Sequence, residues 1–189
     1  MTEWDKKREV MQHYDHSATV YDAQYSEEQK AKINAALSGM NLEGDSLVLD
    51  TGCGTGLLFD HIRNRVKLLV GIDISPRILK EAERRAKRFP TALILRADAD
   101  HTPFPNETFD TVFAITLLQN MPNPQTTLHE MKRVSKNHAI IAVTGLKKEF
   151  TKEGFKKLLD AAGLKTSIIK ANDQLKGHVA ICRKRREKT

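Results

Sequence analysis

The sequence predicts an α/β fold: a doubly wound, seven-stranded, mostly parallel sheet whose last strand is antiparallel, preceded by a helical arm. Three observations carry this. From Ser46 onward, short aliphatic or β-branched runs alternate with helical patterns, the order that builds a sheet covered on both faces. The middle runs are almost wholly apolar, as strands buried on both faces must be. The last two runs are separated only by Lys170 to Gly177, too few residues for a helical crossover, so they are expected to pair antiparallel.

Residues 1–45 read as an arm: Val10, Tyr14, Ala18, Tyr21 and Tyr25 recur at roughly helical spacing, and Ile33, Ala36 and Leu37 continue a second helix. Residues 46–183 form the main domain. Its strand candidates are Leu47–Asp50, Leu68–Asp73, Ala92–Arg96, Thr111–Ile115, Ala139–Val143, Thr166–Ile169 and His178–Cys182. Between them, Ser75-Pro76 offers an N-cap with proline at the first helical position, opening a helix through Ile78, Leu79, Ala82 and Ala86. Pro124 opens another through Leu128, Met131 and Val134, and Phe155, Leu158, Leu159 and Ala162 line a third that Gly163 ends. Residues 184–189 form a basic tail.

The 189 residues suit one domain, and a composition 40% hydrophobic and 29% charged excludes disorder throughout and fibrous classes. Two cysteines, Cys53 and Cys182, make no disulfide framework and suit a reducing, cytoplasmic location. No apolar run approaches the roughly 20 residues of a membrane span, and the first residues carry no secretion signal. The net charge of +7 is uneven. Residues 1–50 carry five basic and ten acidic side chains; residues 151–189 carry eleven basic and four acidic. A terminal basic run binds nucleic acid or acidic lipid, or is simply a solvated end. The cluster Arg84-Arg85-Ala86-Lys87-Arg88 is accounted for by the negative end of its own helix.

The chemistry lies at the strand ends. Asp50-Thr51-Gly52-Cys53-Gly54-Thr55-Gly56 follows the first strand, and such glycines let backbone turn sharply and approach a ligand at the carboxyl edge of a sheet. The carboxylate of Asp50 beside this turn would repel a dinucleotide pyrophosphate and attract a ligand bearing an ammonium and a sulfonium. Asp73 ends the second strand, where a carboxylate accepts from ribose hydroxyls. Ile74 can pack on an adenine face. Asp98 can accept from an adenine amino group, and the Ala99 amide can donate to the ring.

With these residues in place, the stretch from Leu47 to Val143 resembles class I S-adenosylmethionine-dependent methyltransferases of the type-11 group. The glycine loop matches that family's first motif, Gly71-Ile72-Asp73-Ile74-Ser75 its second, and Asp98-Ala99 its adenine contact. Pro103 to Asp110 is similar to its loop into the fourth strand, and Leu117 to Pro122 with His129 to Val134 to the segments after it. The resemblance implies a Rossmann-like methyltransferase sheet, S-adenosyl-L-methionine as cofactor and S-adenosyl-L-homocysteine as product. It carries cofactor contact onto Asp50, Gly52, Cys53, Gly54, Gly56, Asp73, Ile74, Asp98, Ala99 and Thr116, with Tyr14, Tyr21 or Tyr25 closing from the arm. His16 to Asp22 resembles the N-terminal motif of quinone-pathway C-methyltransferases and of several small-molecule and tRNA methyltransferases. Ser135-Lys136-Asn137-His138 departs from the family's Lys-Pro-Gly-Gly turn.

No catalytic residue is assigned. His16, Tyr21 and His101 are base candidates by position alone, and a deprotonated acceptor would need none. Thr116-Leu117-Leu118-Gln119 lacks the Asn/Asp-Pro-Pro-aromatic signature of many exocyclic-amine methyltransferases. Scattered histidines and unpaired cysteines give no metal site. The leading expectation is methyl transfer to a small molecule. The alternatives are an RNA or translation-associated protein acceptor, contacted through the basic end and aided by an activating partner, and a non-catalytic cofactor-binding module.

Overall fold

A computed structural model describes residues 2–169 and 175–185. Helices α1 (Glu3–Ser17) and α2 (Tyr21–Ser38) precede strand β1 (Leu47–Thr51). Then follow α3 (Leu57–Ile62), β2 (Leu68–Asp73), α4 (Pro76–Ala86), β3 (Ala92–Arg96), β4 (Phe109–Ala114) and α5 (Pro124–Val134). The chain closes with β5 (Ser135–Leu146), α6 (Lys152–Ala161), β6 (Leu164–Ile169) and β7 (Gly177–Lys184). The seven strands lie in the order β3-β2-β1-β4-β5-β7-β6. β1 to β5 are parallel, whereas β7 runs antiparallel to both β5 and β6.

Local signals set the helix boundaries. The Ser75 hydroxyl accepts from the Ile78 amide at the start of α4, which buries Ile78, Leu79, Ala82 and Ala86. Asn123 caps α5 through the Gln125 amide, and Thr151 caps α6 through the Gly154 amide. Gly163 ends α6 at φ +75°. One core lies between the sheet and α2, α3 and α4, around Ile33, Phe59, Ile62 and Leu79. The other lies under α5 and α6, around Leu128, Met131, Phe155 and Leu159.

Several boundaries differ from expectation; Ile115, for one, falls just outside β4. The helical spacing from Val10 to Tyr25 is split at residues 18–20, because α1 packs on α4 while α2 packs on α3 and β7; the β-branched pair Thr19-Val20 suits the break. β5 starts at Ser135, directly after α5, so Ser135 to His138 is strand and not turn; Ser135 pairs with Phe109. Lys184 belongs to β7, one residue inside the expected tail; residues 186–189 lie outside the described residues. Among the described residues, no helix is long and apolar enough to cross a membrane.

Order reversal between β1 and β4 opens a crevice at the carboxyl ends of the parallel strands. Helices α1 and α2 lie across that edge.

Candidate active site

The turn after β1 has two sides. Gly52 and Gly54, at φ +69° and +54°, line a cavity. A Cβ on Gly52 would stand 2.8 Å from Leu117 Cδ1, whereas one on Gly54 would meet nothing closer than 3.9 Å. The other loop residues face inward. Gly56, at φ +79°, leaves room for the Phe59 ring, and Cys53 packs near Gly71, its thiol pushed up in pKa by burial. Asp50 is 3% exposed and lines neither cavity described here. Burial, and then the charge of Asp73, raise its carboxyl to about 8, so it is largely protonated at neutral pH.

Asp73 faces the same cavity with both oxygens engaged: Oδ2 accepts from the Gly54 amide at 3.0 Å and Oδ1 from the Ser75 amide at 3.0 Å. Burial raises its pKa, and those amides, with that of Ile74, oppose the rise. Ile74, Asp98, Ala99 and Thr116 complete the expected wall. An unexpected residue is Lys7 of α1. Its buried ammonium lies 2.7 Å from Asp98 Oδ2 and 2.6 Å from Asp100 Oδ2. Desolvation disfavours that charge, but hydrogen bonds to Asp100 and Asp98 outweigh it and raise the pKa. With Lys7, Val10 and Tyr14 pressed in from α1, the cavity holds about 70 Å³, well under the roughly 300–1,000 Å³ of small-molecule pockets.

A second cavity, of about 710 Å³, opens beside the first under α2. Tyr14, Tyr21, Thr116 and Asn120 line both. Thr116 is the junction. It takes φ +63°, unusual for a β-branched residue, a strain of about 1–3 kcal/mol. Its amide donates to Thr144 Oγ1 at 2.7 Å, its hydroxyl donates to Gln29 Oε1 at 2.7 Å and accepts from Lys32 Nζ at 3.1 Å. Its carbonyl accepts from Gln119 and Asn120 side-chain amides. Tyr25 lines only this second cavity. Tyr14, Tyr21 and Tyr25 pack in series as tilted pairs, with centroids 5.8 Å and then 5.0 Å apart.

The arm is fastened around both cavities. Asp15 of α1 accepts from the Ser75 hydroxyl and the Arg77 amide. Asp22 of α2 accepts from Thr55 Oγ1 at 2.6 Å and pairs with Arg85, which also pairs with Asp60 and donates to the Thr55 carbonyl. Arg85 therefore ties arm to glycine loop, a task beyond offsetting its helix end.

Residues 49–143 match a family model described as a methyltransferase domain. The chain belongs to this family. It is a member of the class I, type-11 methyltransferase group. It is 30% identical over 127 residues to a phosphatidylethanolamine N-methyltransferase of Cereibacter sphaeroides, covering 66% of this chain and 62% of the relative. Over 102 residues it is 35% identical to a demethylmenaquinone methyltransferase of Tropheryma whipplei, covering 54% of this chain and 42% of the relative. A Haloferax volcanii methyltransferase solved in complex with the Trm112 methyltransferase activator superposes with TM-score 0.79 at 17% identity, covering 92% of this chain and 98% of that one. That likeness is one of fold.

The residues of this family member fit S-adenosylmethionine by their chemistry. A carboxylate stands at the end of β2, a second at the end of β3, and apolar Ile74 and Ile78 lie between them beside a Cβ-free Gly54. Among the expected contacts, Gly52, Gly54, Asp73, Ile74, Asp98, Ala99, Thr116 and Tyr21 are brought to the first cavity, while Asp50, Cys53 and Gly56 stand behind it. Of the three base candidates, His16 and His101 line neither cavity; Tyr21 lines both, and burial raises its pKa. Lys7 and Lys32 escaped the sequence reading. Lys7 precedes Val10 and Tyr14 by three and seven positions, the same helical face, so its place was readable there.

Proposed function

We propose that this methyltransferase holds S-adenosylmethionine in the first cavity and methylates a small molecule held in the second. The carrying observation is the shared wall: Tyr14, Tyr21, Thr116 and Asn120 border both spaces. S-adenosylmethionine, when bound, supplies a methyl group already activated on a sulfonium. The chain's task is then to align the acceptor and exclude water. Asp73 and Asp98 hold the nucleoside portion, the Gly52–Gly54 turn admits the amino-acid portion, and Lys7 releases Asp98 as α1 withdraws. Thr116, fixed by five partners, positions the edge between the cavities. Tyr14 and Tyr21 keep their protons and act as donors, since burial raises both pKa values.

The basic end supports a small acceptor over a nucleic acid. β7 runs antiparallel to β5 with Gly177 beside Leu146 and Cys182 beside Ile141. Arg183 and Lys184, the last residues of β7, thus lie at the end of the sheet opposite the cavities, where Arg185 pairs with Asp160.

Calorimetry with S-adenosylhomocysteine tests the first cavity. Asp73→Asn should weaken binding at least about ten-fold, the scale of a lost charged hydrogen bond; unchanged affinity would refute the assignment. Labelled methyl donor with fractionated extract, scored for lipid, small molecules, RNA and protein, tests the second. Tight binding without any transfer would instead indicate a non-catalytic module.

One observation favours an activating partner as a second reading. β3 is a sheet edge, and its Leu93 and Leu95 are 54% and 39% exposed on one face. Uncovered apolar edges are normally blunted or paired. Mixing with a Trm112-type activator should give a stable complex that Leu93→Lys abolishes; absence of any complex would remove this reading.

A further inference from the structure

Resting on the reading of the second cavity as the acceptor site, we infer that the acceptor is a planar aromatic anion, with Lys32 as the cation at the cavity floor.

Lys32 is one of two buried lysines among the described residues, its side chain 3% exposed. Its Nζ meets Thr116 Oγ1 at 3.1 Å and Glu28 Oε1 at 3.4 Å. Glu28 is shared, because the same Oε1 accepts from the Lys176 amide at 3.0 Å. A buried ammonium with a hydroxyl and part of one carboxylate is under-compensated. Burial accordingly lowers its pKa, with Lys176 adding to the drop and Glu28 opposing it. An anion entering the cavity completes its coordination.

The rest of the lining agrees in sign and shape. Among the described lining residues, Lys148 and Lys176 stand at the same cavity with Glu28 and Glu149, the latter 3.7 Å from Lys148. The tyrosines, tilted 57° and then 47° to one another, offer aromatic faces and edges to a ring. Gln119 lines the cavity with Nε2 donating to the Thr116 carbonyl at 2.6 Å, while its buried Oε1 has no hydrogen-bond partner among the described residues. Such an acceptor left alone costs about 1–3 kcal/mol, and a hydroxyl on the ring would satisfy it. Together the lining selects a ring bearing both a hydroxyl and a negative charge. Neither His16 nor His101 reaches the cavity.

Three probes with one ring and different charges test this: 3,4-dihydroxybenzoate, 3,4-dihydroxybenzamide and dopamine. Each is titrated by calorimetry into the full chain saturated with S-adenosylhomocysteine. The benzoate should bind about ten-fold or more tighter than the amide, as a charge-assisted contact gives, and dopamine weakest. In Lys32→Met the benzoate advantage should vanish, and in Lys32→Arg it should return. Equal affinities, preference for dopamine, no binding of any probe, or an advantage that survives Lys32→Met would each overturn the inference. The wild-type series needs no variant to fold. Failure of S-adenosylhomocysteine itself to bind would instead sink the cofactor reading, so the two failures are distinguishable.

Discussion

Replacing Lys7 with methionine keeps the side chain's length and apolar stem while deleting the cation between Asp98 and Asp100. The three side chains are 8%, 15% and 2% exposed, so water cannot readily take the cation's place. Removing one partner of a buried pair costs about 3–5 kcal/mol. The loss falls on the docking of α1, since Lys7 is its buried link to the β3 end. At about 1.36 kcal/mol per decade, even the lower figure corresponds to more than about a hundred-fold in the opening equilibrium. Amide hydrogen exchange across Glu3–Ser17 at neutral pH reads that equilibrium directly. Protection there should fall by about two decades, while β1 and β4 stay as protected as in the wild type. A change within about three-fold, the level of an exposed ion pair, would refute the reasoning and leave Asp15 as the contact that holds α1.

Other substitutions probe the loop and the arm. Gly52→Ala forces a side chain into φ +69° and to within 2.8 Å of Leu117; about 1–3 kcal/mol of stability should be lost, with weaker S-adenosylhomocysteine binding by calorimetry. Asp50 titrates at about 8 in the folded chain against a reference of 3.8. The folded state therefore keeps a proton that the unfolded chain releases, and its stabilising effect is lost as pH rises through that window. Thermal melts of Asp50→Asn should show a flatter decline toward pH 8 than the wild type, and identical slopes would count against the assignment. Arg85→Met unties Asp22 and Asp60, which are partly exposed. A loss of about 1–2 kcal/mol, or about 2–8 °C in melting temperature, is expected. An unaltered melt would show that this bridge contributes nothing.

The strand content was legible because parallel core strands are apolar throughout: each of the seven runs read from the sequence lies within an observed strand or overlaps it by all but one residue. The start of α4 was legible because the capping side chain of Ser75 acts on its own neighbours, whereas α6 starts at Lys152, ahead of the apolar face that begins at Phe155. The break at residues 18–20 was not, because helical spacing persists through Tyr21 and Tyr25 and only packing on α4 and α3 separates the two helices. The expected contacts at strand ends divided for a similar reason. Gly52 and Gly54 face the cavity, whereas Cys53 and Gly56 serve the packing of Phe59, and a motif string does not say which way each residue turns.

The sequence by itself determined the sheet, the glycine turn and the acidic strand ends, all products of short-range patterns. Tertiary structure alone decided what meets them. Lys7 reaches Asp98 and Asp100, and Lys32 reaches Thr116, across long stretches of chain. Each of these lysines sits on a helix where an exposed, solvated side chain is the usual outcome. Burial against a partner distant in sequence is what turned one into a latch and the other into the cation of a cavity.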